Sequence, residues 1–178
     1  MKYFVIALFA FVAFTTVRAH AADEVEPGLV AEYFNIGEDV SDFPELKDKK
    51  AAPKRVEKTI NVDSTEDNWP NTELKNQFAI RWTGVIRIAK DGKYKFYTES
   101  DDGSRLFIDG KQVVDNGGLH GMEEKDGEVE LKAGDHEFKV DFFENGGGHG
   151  CKASWEGAGA AKEIIPEAVL FHKKGTEK

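Results

Sequence analysis

Cysteine occurs once in the 178 residues, at Cys151, so no disulfide can form within the chain. That excludes the small secreted scaffolds that replace a hydrophobic core with several bridges. Cys151 alternates with Ala153 and Trp155, so it reads as a small buried hydrophobe on a strand, with a reactive thiol as the alternative. Basic residues are outnumbered, 24 Lys and Arg against 33 Asp and Glu, for a net charge of −9. Such a chain repels nucleic acid and anionic lipid, and cations and neutral ligands are its natural partners. Catalytic signals are also missing. His20, His120, His136, His149 and His172 show no metal-ligand spacing, no serine sits in a nucleophile elbow, and Cys151 has no base near it in sequence. The expectation is a binding protein rather than an enzyme, a pair of carboxylates in a glycosidase being the minor alternative.

Long apolar runs are confined to the start. Lys2 precedes an apolar stretch from Tyr3 to Phe14, followed by Ala19-His20-Ala21. A charged start, a dozen apolar residues and a small-x-small site make a secretory signal peptide over residues 1–21. The run is too short for a membrane helix, which needs roughly 20 apolar residues, so no membrane insertion is expected. Cleavage would leave 157 of the 178 residues and, with Lys2 and Arg18 gone, a net charge of −11. One core suffices for that length. The expected layout is a linker at 22–26, one domain at 27–172 and a disordered tail at 173–178, with the protein secreted, periplasmic or on the cell surface.

Helical periodicity is hard to find, and a period of two dominates from Leu29 onward. From Gln77 to Ala89, Phe78, Ile80, Trp82, Ile86 and Ile88 share one face. Asp91-Gly92 and Asp109-Gly110 supply hairpin turns, and Ala133-Gly134 joins two further strands. Phe138, Val140 and Phe142 alternate with Glu137, Lys139 and Asp141. Leu29 to Phe34 and Val56 to Val62 read as strands, with a lysine-rich exposed loop between them. Asn116 to Gly127 reads as a polar connection, and Pro166 marks an edge or the entry to a strand. The fold class is all-β, an antiparallel sandwich or barrel.

Two loops carry candidate chemistry. Asp101-Asp102-Gly103-Ser104 sits at a tip between strands. Adjacent side chains on an extended chain point to opposite sides, so both carboxylates reach one ion only if the backbone is unusual, as with a cis peptide bond. Oxygen-rich sets of this kind suit calcium, whereas the plain alternative is a solvated turn. The second loop is Glu144-Asn145-Gly146-Gly147-Gly148-His149-Gly150, where glycines free the backbone and Asn145 offers an amide oxygen. Its alternative is a flexible connection. Trp82 and Trp155 are expected in the core, Trp69 in either place, and His120 on the ligand face or the plain surface.

The ordered set Gly28-Leu29-Val30-Ala31-Glu32-Tyr33-Phe34, Phe78-Ala79-Ile80-Arg81-Trp82-Thr83-Gly84, Ser100-Asp101-Asp102-Gly103-Ser104, Phe142-Phe143-Glu144-Asn145-Gly146-Gly147-Gly148 and Ile165-Pro166 resembles a PA14 domain. The resemblance implies a β-sandwich of secreted adhesins, toxins and carbohydrate-active enzymes. It implies calcium held by Asp101, Asp102 and Asn145, with backbone carbonyls near Gly147 and His149 completing the shell and the ion binding sugar hydroxyls. The expected sugar-contacting set is Asp101, Asp102, Asn145, His149 and His120, with Gly147 among the metal ligands. Expected partners are a glycan or cell-surface polysaccharide or, in the competing reading of a structural or protein-interaction module, an envelope protein. The sequence departs from a lectin pattern in having no evident aromatic platform after Asn145.

Overall fold

The computed structural model describes residues 24–178; the expected leader lies outside the described residues. The fold is the expected antiparallel β-sandwich. One sheet is built from β1 (Val25–Pro27), β2 (Leu29–Asn35), β3 (Arg55–Glu57), β5 (Phe78–Ile88), β7 (Ser104–Ile108), β8 (Lys111–Asn116), β10 (Gly134–Glu144) and β13 (Leu170–Lys173). The other holds β4 (Asn61–Thr65), β6 (Gly92–Asp101), β9 (Glu123–Leu131), β11 (His149–Gly157) and β12 (Ala160–Ile164). In the larger sheet the order is β1-β13-β5-β10-β7-β8, with β2 also on β5 and β3 on β2. In the smaller one it is β12-β11-β6-β9, with β4 also on β11.

The alternation predicts the core because successive side chains on a strand point to opposite faces. Phe78, Ile80, Trp82, Ile86 and Ile88 of β5 are all buried, as are Phe138, Val140 and Phe142 of β10 and Tyr94 and Phe96 of β6. Each large side chain withdrawn from water there contributes about 1.5–3 kcal/mol. Trp69, which the sequence left open, is fully buried between the sheets against Phe78, Trp82 and Phe142. Trp155 is partly buried and stacks on Tyr94 at 5.7 Å. Cys151 is in the core, where burial pushes its thiol pKa up.

Several boundaries differ from expectation. Val56 to Val62 is not one strand: β3 belongs to the larger sheet and β4 to the smaller, and the chain crosses between them. Glu57 stays behind at the crossing, accepting hydrogen bonds from Tyr33 and from Trp82 Nε1 at 2.6 Å. The polar connection after Asn116 becomes strand at Glu123, because β9 lies at a sheet edge and tolerates charge on both faces. Val25 to Pro27, expected mostly as linker, pairs with β13, and the amide of Lys174 donates to the Glu24 carbonyl. Pro166 precedes a short 3-10 turn (Glu167–Val169) that leads into β13.

The β2–β3 connection is largely exposed along its lysines, yet its first half folds back over the outer face of the larger sheet. Phe43 meets Phe143 edge to face at 5.0 Å, and Val40, Leu46 and Ala51 pack on a second apolar cluster of Phe34, Ile36, Ala79 and Phe143.

Candidate functional site

The end of β6, the start of β7, the end of β10 and the start of β11 meet at one pole, since Gly150 pairs with Asp101 and Phe142 with Ser104. A buried polar layer ties these ends together. Ser100 and Ser104 share a hydroxyl contact of 2.7 Å, and Asn116 Nδ2 donates to Ser100 at 3.1 Å and to the Glu123 carbonyl at 2.9 Å.

Above this layer the Asp101–Asp102 peptide bond is cis, the geometry that lets two adjacent carboxylates converge. Asp101, Asp102 and Glu144 each present a carboxylate oxygen within 4.8 Å of the others. Asp102 is 6% exposed and anchors two loops: its Oδ1 accepts from the His120 amide and its Oδ2 from the Asn145 amide, both at 3.0 Å. Burial, then the charge of Asp102, raises the Asp101 pKa, with His120 opposing. Burial and the charges of Asp102 and Asp101 push Glu144 up to about 8.

Glu144 is 0% exposed, and neither carboxylate oxygen has a hydrogen-bond partner among the described residues. Sequence reasoning passed over it as a site residue. The signal was present, because the alternation that turns Phe138, Val140 and Phe142 inward turns Glu144 inward as well.

The other expected residues divide. His120 is brought to the site through its backbone, while its ring nitrogens face the carbonyls of Gly121 at 2.9 Å and Asn116 at 3.3 Å. Beside it Leu119 is 51% exposed. Asn145 is at the site, but its Oδ1 accepts from the Val40 amide at 2.8 Å, clipping the β2–β3 connection to the glycine loop. Gly147 has φ +107°, a conformation that favours glycine, and a Cβ at Gly148 would stand 3.3 Å from Asp101 Oδ2.

His149 is a correction. Its ring is 0% exposed and packs against Trp69 at 5.9 Å and Phe78 at 5.5 Å, so its side chain faces the core and not a sugar. Burial lowers its pKa below the ordinary histidine value. It shares an inward face with Cys151 and Ala153, so the strand pattern again carried the answer. Grooves also lie elsewhere, such as one of about 400 Å³ lined by Thr83, Val85, Phe107 and Lys139.

The PA14 domain family model matches residues 25–168. Over 147 residues the chain is 34% identical to anti-sigma-I factor RsgI3 of Acetivibrio thermocellus, a match covering 81% of this chain and 21% of that protein. The chain thus spans about a fifth of that relative's length. A solved anti-sigma factor domain-containing protein from Clostridium clariflavum has TM-score 0.67 and 31% identity, covering 82% of this chain and 47% of the other. A PA14 sugar-binding domain from an RTX adhesin has TM-score 0.71 and 21% identity, covering 82% and 98%, a likeness of fold alone.

Proposed function

Since the chain belongs to the PA14 domain family, we propose that it is an exported module that binds carbohydrate through a calcium ion at the Asp101–Asp102 end of the sandwich. The observation that carries the reading is the convergence of three carboxylates, one of them buried with both oxygens unpartnered among the described residues. A buried acid is normally paired or hydrogen-bonded, and a hard divalent ion is the partner this donor set fits. The space that Gly148 leaves beside Asp101 is consistent with close approach of a ligand. Bound calcium would supply open coordination positions for sugar hydroxyls.

The chain's own residues divide the remaining work. Asp101 and Asp102 hold the ion. Asp102 also orders the His120 and Asn145 loops by accepting their amides. Asn145 keeps a lone pair of its amide oxygen free beyond the Val40 contact, and the Gly147 carbonyl is the backbone ligand of the proposal. His120 and the exposed Leu119 flank the ion and set which sugar is accepted, in place of an aromatic platform. The His149 side chain, packed in the core, has no part in ligand contact. The apolar start of the chain supports export, and among the described residues no helix is long and apolar enough to cross a membrane.

The second reading is a non-catalytic structural or protein-interaction module of the cell envelope, favoured by a relative named as an anti-sigma factor. A glycan array with and without calcium separates the two. Calcium-dependent glycan signals support the first reading. A blank array, together with a melting temperature identical in chelator and in millimolar calcium, would sink it.

A further inference from the structure

Glu144 is more than a neighbour of the aspartate pair. It ends β10 on the inward face, is fully buried, and is the one of the three acids with both carboxylate oxygens buried and without a hydrogen-bond partner among the described residues. Its electrostatic neighbours are Asp101 and Asp102, both of its own sign. A residue kept there for packing alone would be better served by glutamine or an aliphatic chain, because an unpaired buried carboxylate is costly. Asp102 already spends both oxygens on amide donors, whereas Glu144 has its full acceptor capacity unused, within 4.8 Å of a carboxylate oxygen of each partner.

We propose that Glu144 is a direct third carboxylate ligand of the ion, making the donor set triply negative, so that the site binds trivalent hard cations more tightly than calcium. The inference rests on the calcium reading above and deepens it. Two aspartates alone would balance a divalent ion, and a third acid leaves one negative charge that a trivalent ion neutralises at short range. The competing role for Glu144 is a protonated acid that donates to Asp102 and never touches an ion.

The test is calorimetric titration of the chelator-stripped protein with calcium and with terbium(III), alongside melting in chelator, for the parent and for Glu144→Gln. The variant should melt higher than the parent in chelator, bind calcium at least tenfold more weakly, and lose more affinity for terbium than for calcium. The opposite signs on stability and affinity are what a merely structural residue would not give. A calcium loss below tenfold, an unchanged preference between the two ions, or a lower melting temperature in chelator each overturns the proposal. A parent protein that binds neither ion overturns the calcium reading itself, and so tells the two failures apart.

Discussion

The two poles of the sandwich are both rich in aspartate and glycine, and their chemistry is opposite. At the pole of the β5–β6, β7–β8 and β9–β10 turns Asp91, Asp109 and Asp135 each have a protein partner. Asp135 takes Arg87 at 2.6 and 2.8 Å, Asp91 takes the Ala133 amide at 2.8 Å and Lys132 at 2.9 Å, and Asp109 takes His136 at 2.7 Å and the Glu137 amide at 2.9 Å. There the Ala133 amide, then Lys132, holds the Asp91 carboxyl below its usual range, and Arg87 does the same for Asp135. At the other pole Asp101 and Glu144 are pushed up, because burial and like charge outweigh what opposes them, His120 in the case of Asp101. One pole is electrostatically complete. The other gathers like charge that no Lys or Arg of the described residues pairs with.

That contrast can be broken by experiment. The largest expected effect is the response to calcium: at 100 times its dissociation constant the ion should stabilise the protein by about 2.7 kcal/mol. Asp102→Ala should abolish that response and cost about 2 kcal/mol in chelator, since two amides lose a charged acceptor. Asp109→Ala, at the complete pole, should leave the calcium response intact; if it does not, the poles are not independent. Next in size, Asn145→Ala should cost about 1 kcal/mol through the stranded Val40 amide and weaken the calcium response, read by denaturant melts with and without the ion.

A smaller effect concerns pH. Burial opposes the charge on His136, but the Asp109 carboxylate and the Lys132 carbonyl outweigh it and raise its pKa. A raised histidine stabilises the fold fully below its unfolded value near 6.5, and that contribution disappears as pH rises through the folded value. Asp109→Asn should therefore flatten the fall in stability as pH rises above the unfolded histidine value, as measured by denaturant midpoints. Smallest of all, Arg87→Met should cost under about 1 kcal/mol, because its pair with Asp135 is solvent-exposed.

Much of this was legible beforehand. The strands β5, β6, β10 and β11 announce themselves by alternation because both sheets bury one face against the other. The cis bond of the aspartate pair was legible as the condition for two adjacent carboxylates to converge, with a solvated turn as the alternative. What escaped was lost where two signals overlapped. Glu144 and His149 were read as members of a loop, although each occupies an inward position of its strand. β3 and β4 were merged because the chain passes from sheet to sheet without a glycine or proline to mark the crossing. β9 hid its start because an edge strand with charge on both faces has no alternation to show.

The pairing of β1 with β13 brings Val25 opposite Lys173. A mechanical load entering through the backbone at these two residues acts on the outermost rung of an antiparallel ladder and opens it one rung at a time, instead of shearing several rungs together. The domain should thus yield first by peeling β1 at low force, and the acidic pole, carried on β6, β7, β10 and β11, would bear no part of that load until the strand had come away.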